Sequence, residues 1–317
     1  MNQIASLFGG TLPAIVATGD CAQIRFLEFF TANIRNPNTR KAYMRAAVDF
    51  MEWCAERGIN SLPAVQPVHV AAWIEDLGQS HAVPTVKLRL AAIRHLFDWM
   101  VTGQVMPSNP AHAVRGPSYA TKKGKTPVLS PEEARHLLTS IPVDTISGKR
   151  DRALIGLMTY SFARIGAALS MGVRDVFVQN RRLWVRLREK GGKNHEMPCH
   201  HSLEAYLDDY MEAAGLRDHP RSPLFQTIGR GTGVLSESPL PQANAYAMIQ
   251  RRAKAAGIDT AVCCHTFRAT GITAYLKNGG TLEKAANMAN HASTRTTQLY
   301  DRRSDEVSLD EVERILI

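Results

Sequence analysis

The sequence has 317 residues, which is enough for two domains of ordinary size. Hydrophobic residues make up 44% of the chain and charged residues 21%, a composition typical of globular proteins that excludes disorder of the whole chain. Lysine and arginine number 38 against 29 acidic residues. This surplus favours a polyanionic partner such as nucleic acid, although charge alone does not exclude a basic protein without one.

The cysteine content argues against a disulfide framework and a structural zinc site, because the count is odd and no pair has CxxC spacing. The apolar stretches are short and interrupted by charged residues, so no membrane span is predicted. The first residues lack the pattern of a signal peptide, and we therefore expect a cytoplasmic protein. The cysteines are Cys21, Cys54, Cys199, Cys263 and Cys264.

Four helices are predicted in the first part of the chain, because apolar residues recur there at helical spacing. Asn38 begins the second helix, and Pro67 and Pro84 open the third and fourth, since proline suits the first turn of a helix. The third helix is expected to stop at Gly78. The apolar positions that carry the prediction are Ile24, Leu27, Phe30, Tyr43, Ala47, Phe50, Cys54, Val70, Ile74, Leu77, Val86, Leu90, Ile93, Phe97 and Met100.

Basic residues lie beside the apolar faces of two of these helices. A basic helix face is usually an ordinary solvated surface, because long side chains cover apolar surface while their charges stay in water. The other interpretation is a side that faces DNA, and the sequence leaves both open. The residues concerned are Arg40, Lys41, Arg45, Lys87, Arg89 and Arg94.

A linker and the start of a second domain follow. Proline and glycine between residues 109 and 126 break regular structure, and three lysines make the stretch basic, which suits a connection across a phosphate backbone. Ser130 and Glu133 have the spacing of a capping box with Pro131 at the first helical position, so a second domain is expected to begin there. The linker residues are Pro110, Gly116, Pro117, Lys122, Lys123 and Lys125.

The second domain is predicted to combine helices with a little sheet. Leu183, Val185 and Leu187 alternate with Trp184, Arg186 and Arg188, which is the pattern of a half-buried strand. The next residues have turn composition, and a short partner strand returns after them. The turn is predicted at 190–194, the partner strand at 196–198, and helices at 202–215, 241–257 and about 265–279.

His265 and Arg268 place an imidazole and a guanidinium three residues apart, and hence on one face of a helix. Such a pair can hold one phosphate, because arginine offers planar donors and histidine can move a proton. Alone the pattern is weak, since many helices contain it by chance. His195, His200 and His201 have no carboxylate or cysteine partner at ligand spacing, so no metal is predicted there.

Further residues extend the pattern along the chain. His291 follows Arg268 by 23 residues, and Tyr300 follows His291 by nine. This order resembles that of the tyrosine recombinase (phage-type integrase) family. Upstream, Arg164 ends a helix where the family has its first catalytic arginine. Lys190 lies in the hairpin turn, where the family has its catalytic lysine.

The resemblance covers the chain from about residue 20 to its end, because segments 38–43 and 109–111 look like the family's core-binding domain. It implies a mainly α fold with a small antiparallel β-sheet, in which a helical SAM-like core-binding domain precedes a mixed α+β catalytic domain. The implied boundaries are an N-terminal extension at 1–20, the core-binding domain at 21–117, a basic linker at 118–127, the catalytic domain at 128–300 and a C-terminal docking helix at 301–317.

The resemblance also implies the reaction, which is site-specific cleavage and rejoining of DNA without a metal, ATP or another cofactor. Fixed arginines would stabilise the negative charge that gathers on the phosphate in the transition state. A tyrosine nucleophile needs a base or a positive field, because its ordinary pKa is about 10. The implied roles are stabilisation by Arg164 and Arg268, a third donor in His291, nucleophilic attack by Tyr300, proton acceptance by His265 and proton donation by Lys190.

Three alternatives stay open. Lys193 rivals Lys190 as the general acid, because both lie in the same turn. A type IB topoisomerase would share the chemistry, and a DNA-binding protein that had lost activity would share the fold. Ala167 bears on that last alternative, because family members commonly place a carboxylate three residues beyond the first arginine, in support of the active-site histidine.

The implied partner is double-stranded DNA with a specific recombination site, held by a two-domain clamp. The family works as a tetramer on paired sites, so a homo-oligomer is expected. At the C-terminus, Ser308 and Glu311 form a capping box, and Leu309, Val312 and Leu316 fall on one helical face. So short a helix must dock on something, either its own catalytic domain or, as the resemblance implies, the neighbouring subunit.

Overall fold

A computed structural model describes residues 13–17, 20–119, 124–189, 192, 194–229, 231–302 and 313. The chain divides into two units, Met1–Ala120 and Thr121–Ile317. Helices predominate, and the second unit adds two small antiparallel sheets, which confirms the predicted fold class. None of the described helices is long and apolar enough to cross a membrane. Most of the predicted C-terminal helix (303–312 and 314–317) and the linker lysines Lys122 and Lys123 lie outside the described residues.

The helices of the first unit begin at the predicted signals. The side chain of Asn36 accepts hydrogen bonds from the backbone of Asn38 and Thr39, and Pro67 occupies the first turn of its helix. That helix runs two residues past Gly78, because one glycine inside a helix costs only about 1 kcal/mol. The helices are α1 (Ala14–Ala17), α2 (Asp20–Glu28, continued by a wider turn at Phe29–Asn33), α3 (Pro37–Glu56), α4 (Pro67–Ser80) and α5 (Val83–Thr102).

Aromatic side chains fill the core of the first unit. The ring of Phe50 lies 4.9 Å from that of Trp73 and 6.1 Å from that of Phe97, both measured between centroids in edge-on geometry. Helix α2 buries Phe26 but leaves Ile24 57% exposed. Ile24, one of the apolar positions that predicted this helix, therefore lies outside the core.

Half of the basic residues predicted beside these faces hold the first unit together. Arg40 and Arg94 donate to backbone carbonyl groups, and Arg89 pairs with Asp49 at 2.6 Å. These three side chains therefore have structural roles, which neither of the two interpretations, a solvated surface or a side that faces DNA, predicted. The other three are exposed, and they are Lys41, Arg45 and Lys87.

The second unit begins with the predicted capping box. The hydroxyl of Ser130 accepts from the backbone of Glu133 at 3.1 Å, and the Glu133 carboxylate accepts from the backbone of Ser130 at 2.8 Å. Its helices are α6 (Pro131–Ser140), α7 (Ile146–Tyr160), α8 (Ile165–Leu169), α9 (His201–Ala213), α10 (Gln242–Ala255), α11 (Cys264–Lys277), α12 (Leu282–Met288) and α13 (Thr294–Gln298). Its strands are β1 (Val176–Gln179), β2 (Arg182–Arg188), β3 (Asn194–Pro198), β4 (Gln226–Ile228) and β5 (Leu235–Pro239).

Strand β2 is the centre of a three-stranded antiparallel sheet, with β1 and β3 on either side. Val185 lies opposite Val176 in β1 and Met197 in β3. Leu183, Val185 and Leu187 are buried, which confirms the predicted alternation. The sequence pattern did not predict β1 or the β4–β5 hairpin, because three to five residues give little periodic signal.

Helices α7 and α11 pack against each other in the second unit. A Cβ atom on Gly271 of α11 would lie 2.0 Å from the carbonyl oxygen of Thr159 in α7 and 2.8 Å from the ring of Phe162. Only glycine permits this approach. The contact positions the site, because α11 carries two of the predicted site residues and Arg164 follows α7.

Candidate active site

Arg268 is the most deeply buried residue of the predicted set, with 0% of its surface exposed. Its guanidinium donates to the backbone carbonyl oxygens of Phe162 and Ala289, which fix its position from two sides. Its Nη2 atom also lies 2.9 Å from Nε2 of His291. Burial and the nearby positive charge of Arg164 lower the pKa of Arg268 to about 10, so the side chain remains charged at neutral pH.

The backbone takes an unusual conformation at Phe162, whose carbonyl contacts this guanidinium, and at Asn290, which follows the other contact residue, Ala289. Phe162 has φ +54° and Asn290 has φ +46°, values that non-glycine residues seldom adopt. Each such residue costs about 1–3 kcal/mol, and they concentrate at functional sites. The carbonyl oxygen of Phe162 accepts from Arg268, and Asn290 lies in the turn directly before His291.

Arg164 precedes α8, and its side chain is 38% exposed. One of its nitrogens, Nη1, donates to the carboxylate of Glu189, whose side chain is only 3% exposed. The charge of Arg164 lowers the pKa of Arg268, which places the two guanidinium groups in each other's field. Two positive charges in each other's field favour the binding of an anion near them.

His265 and Tyr300 contact each other through their side chains, with Nε2 of His265 2.6 Å from the phenolic Oη. Burial is the main cause that lowers the pKa of His265, followed by the charges of Arg268 and Arg164. The imidazole is therefore neutral near pH 7 and can accept the phenolic proton.

Tyr300 is held from several directions while only 8% of its surface is exposed. Its backbone carbonyl accepts from the hydroxyl of Thr273 at 2.9 Å, and its ring stacks on that of His291 at 5.8 Å between centroids. The preceding residue, Leu299, accepts at its carbonyl from the backbone of Gly124 at 2.9 Å. These contacts restrain the phenol before any substrate arrives.

His291 has both ring nitrogens engaged. A guanidinium has only donors, so Nε2 must accept from Arg268, and Nδ1 then carries the proton and donates to the hydroxyl of Thr297 at 2.9 Å. Burial, followed by the charges of Arg268, Arg164 and His265, lowers the pKa of His291 to about 4. In this arrangement Nε2 is an acceptor, and the expected donation to a phosphate requires that its contact with Arg268 be exchanged.

The structure brings together five of the residues predicted from the sequence, and Lys190 and its rival Lys193 lie outside the described residues. Histidines elsewhere have structural contacts, such as the stacking of His200 on Tyr160 at 4.4 Å between centroids. Within the described ranges, no three His, Cys, Asp or Glu side chains are grouped so as to hold a metal ion. The five residues that meet are Arg164, His265, Arg268, His291 and Tyr300.

Three residues whose side chains contact the predicted set were not themselves predicted: Glu189, Thr273 and Thr297. Glu189 continues the inward alternation of Leu187 in β2, and a charged residue at an inward position is the signal that would have singled it out. Ala167, at the position where the family resemblance places a carboxylate, is buried in α8 and supplies no acid.

The sequence matches the profile of the phage integrase family over residues 127–306. A second match, to the phage integrase N-terminal SAM-like domain, covers residues 24–104. Tyrosine recombinase XerC of Myxococcus xanthus is 27% identical over 285 residues, which are 86% of this chain and 91% of the relative. A tyrosine recombinase of Synechococcus elongatus is 27% identical over 294 residues, covering 87% and 88% of the two chains.

Solved structures share the fold. The XerH site-specific recombinase in a post-cleavage complex has a TM-score of 0.69 at 17% identity, over 98% of this chain and 92% of XerH. A lambda integrase dimer (residues 75–356) bound to a core site has a TM-score of 0.68 at 16% identity, over 90% and 96%. Because the integrase profile matches more than half of its residues and the two relatives match 86% and 87% of it, the chain belongs to the phage integrase family of tyrosine recombinases.

Proposed function

We propose that this chain is a site-specific recombinase that cleaves and rejoins duplex DNA through a covalent bond to Tyr300. The observation that carries the proposal is the 2.6 Å contact between Oη of Tyr300 and Nε2 of a neutral His265, beside two arginines. A phenol that can pass its proton to a base, next to a site for an anion, has what attack on a phosphodiester requires.

In the proposed reaction, Oη of Tyr300 attacks phosphorus and its proton passes to Nε2 of His265. The bond from phosphorus to the 5′-oxygen breaks, which leaves a 3′-phosphotyrosine and a 5′-hydroxyl. The leaving oxygen takes up one proton, and Lys190 is proposed as its donor from its place in the sequence. Because the phosphotyrosine conserves the energy of the broken bond, a second DNA end can reverse the step without ATP.

Two arginines account for stabilisation of the transition state. Negative charge grows on the non-bridging oxygens as Tyr300 attacks, and fixed donors stabilise it without having to reorganise. Arg268 is fixed by two backbone carbonyl groups, and its Nε atom is buried with no hydrogen-bonding partner among the described residues. Arg164 keeps an exposed edge towards solvent. Arg268 therefore offers fixed donors to a phosphate, and Arg164 offers accessible ones.

The proposed partners are duplex DNA with a specific site and further copies of this chain, in the cytoplasm. Two structures of the same fold support this: XerH is bound to its palindromic difH substrate, and a lambda integrase tetramer is bound to a Holliday junction. The net charge of +9 fits binding to phosphates. The proposed domain organisation is the one predicted from the sequence, with a core-binding domain at 21–117 and a catalytic domain at 128–300.

The C-terminal segment is proposed to dock on a neighbouring subunit and so couple Tyr300 to assembly. Few residues separate the nucleophile from the apolar stripe of Leu309, Val312 and Leu316. Deletion of the residues after Ser304 should leave binding to a single site intact while it weakens pairing of two sites. A truncated protein that assembles and recombines at the wild-type rate would show that the docking is within one chain or unimportant.

The test of the proposed function is covalent capture of DNA. A nicked duplex made from the DNA that flanks the gene traps the phosphotyrosine, because the short fragment 3′ to the cut diffuses away. We expect an adduct on denaturing gels with the wild type and with the matched control Tyr246→Phe, an exposed tyrosine on α10. Tyr300→Phe should bind DNA and give none. No adduct with any flanking duplex would favour an inactive DNA-binding protein, and relaxation of a plasmid without flanking DNA would favour a topoisomerase.

A further inference from the structure

Glu189 is a buried acid in contact with a site residue. It directly follows β2, its side chain is 3% exposed, and its carboxylate accepts from Nη1 of Arg164. A carboxylate loses several kcal/mol of hydration when it is buried, so it persists there only with a charged or hydrogen-bonding partner. Among the described residues, Arg164 is the partner that Glu189 has.

The two side chains of this pair differ in exposure, so that one faces solvent and the other lies in the interior. The Arg164 side chain is 38% exposed, whereas the carboxylate lies beneath it. Nη1 is taken by Glu189, and the other nitrogens of Arg164 have no hydrogen-bonding partner among the described residues. A guanidinium has five N–H donors in one plane, so an anion that arrives from solvent can still bind the open edge. The acid therefore supports Arg164 from behind and leaves its binding edge free.

The charges point the same way. Arg164 and Arg268 repel each other, since the charge of Arg164 lowers the pKa of Arg268. Glu189 acts in the opposite direction and raises the pKa of Arg268. The carboxylate thus offsets the repulsion that would push the more exposed Arg164 away from the buried Arg268 while no phosphate is bound.

No carboxylate comes from α8, where Ala167 occupies the position three residues after Arg164. The buried acid beside the first arginine comes instead from the end of β2. Glu189 also directly precedes Lys190, the proposed general acid. The contact between Glu189 and Arg164 therefore connects the residue that follows β2 to the proposed phosphate-binding arginine.

We propose that Glu189 is a positioning residue that holds Arg164 in the orientation in which it binds the scissile phosphate. Its effect on cleavage rests on the proposed function, whereas its effect on Arg164 does not. The two parts are therefore measured separately, on the full-length protein.

The first measurement follows the Nε–Hε signal of Arg164 in a ¹⁵N–¹H NMR spectrum without DNA, assigned by its loss in Arg164→Lys. We expect Glu189→Gln to shift or broaden this signal, because the neutral amide no longer fixes the guanidinium. The matched control is Glu196→Gln, which removes the 2.6 Å pair of Arg186 with Glu196 in the same sheet. An Arg164 signal that is the same in wild type and Glu189→Gln would overturn the proposal.

The second measurement is a double-mutant cycle on single-turnover cleavage of the nicked flanking duplex at saturating protein. We expect Glu189→Gln to slow cleavage by roughly 10–100-fold, as loss of a residue that orients a site group typically does, with duplex affinity and Tm close to the wild type. In the Arg164→Ala background the same substitution should change the rate by less than about twofold, because its target is already gone.

The outcomes separate the two claims. A full additional loss of rate in the Arg164→Ala background would show that Glu189 acts elsewhere and would overturn the proposal. A parallel loss of rate, affinity and Tm in Glu189→Gln alone would show that it merely maintains the fold. If the wild type itself forms no adduct, the proposed function fails, and the NMR comparison still decides whether Glu189 positions Arg164.

Discussion

Nε2 of His265 lies 2.6 Å from Oη of Tyr300, although 35 residues separate them in the sequence. His265 is in the first turn of α11, and Tyr300 follows the short helix α13. Thr273 lies two turns further along α11, and its hydroxyl donates to the backbone carbonyl of Tyr300 at 2.9 Å. One helix therefore supplies both the base and an anchor for the nucleophile.

This contact predicts the pH dependence of cleavage. The titratable groups near His265 include Tyr300, Arg268, Arg164 and His291. Burial together with the two arginines lowers the pKa of His265 below 6.5. A lowered pKa keeps the base form at neutral pH, so the rate should stay level above pH 6.5 and fall as the pH drops through the lowered pKa. Single-turnover cleavage rates from pH 4.5 to 8.5 measure this. An acid limb centred above 6.5, or one that persists unchanged in His265→Ala, would contradict the role of this residue.

Removal of either arginine should slow chemistry more than binding. Loss of one preorganised donor to a developing oxyanion typically costs on the order of 10²–10³ in rate. Both variants should also lower Tm. Arg268→Ala takes the buried donor from two carbonyl oxygens, and Arg164→Ala leaves the buried Glu189 carboxylate without its partner. The control is Arg217→Ala, which removes only an exposed pair with Asp208. Cleavage within a few-fold of the wild type for either site variant would refute its assignment.

Lys190→Ala separates proton donation from the other steps. The substitution should slow cleavage of an ordinary phosphodiester and spare a substrate with sulfur at the 5′-bridging position, because a thiolate leaves without a proton. Single-turnover rates on the two substrates give the comparison, and Lys193→Ala is the matched control from the same turn. Equal slowing on both substrates would remove Lys190 from the role, and selective slowing in Lys193→Ala would assign it there.

Gly271→Ala tests the helix packing that supports the site. The added Cβ meets a backbone carbonyl of α7 at 2.0 Å, which cannot move aside as a side chain can, so we expect a loss of about 1–3 kcal/mol in the free energy of unfolding. Gly78→Ala in α4 is the control, because nothing lies within 4 Å of its added Cβ. That variant should gain about 0.5–1 kcal/mol. Denaturant unfolding measures both, and equal stability of Gly271→Ala and wild type would show that the helices are farther apart.

Local patterns in the sequence predicted what depends on neighbouring residues. His265 and Arg268 lie one turn apart on the same helix, as their spacing predicted. The strand alternation correctly predicted that Leu183, Val185 and Leu187 are buried. The proximity of Arg164 to His291 and Tyr300 was predicted from the order of motifs in a known family. Helical and strand periodicity could not predict it, because more than 120 residues separate Arg164 from these two. Tertiary contacts set the rest.

The positive φ of Phe162 and the pairing of Glu189 show where local rules end. Phe162 adopts a conformation that its own side chain disfavours, and its carbonyl contact with Arg268 accompanies that strain. Glu189 is 25 residues from its partner Arg164, so no window of sequence contains both as neighbours. Contacts of this kind become visible only once the chain is folded and packed.

The most direct test of the account is to find which residue carries the DNA. Trypsin cleaves after Arg295 and Arg302, so Tyr300 is the one tyrosine of the peptide 296–302. After reaction with the nicked flanking duplex and nuclease digestion, mass spectrometry should find the residual nucleotide on this peptide, bound to Tyr300. Nucleotide on a peptide that contains another tyrosine, such as Tyr275 in 269–277, would contradict the assignment of the nucleophile.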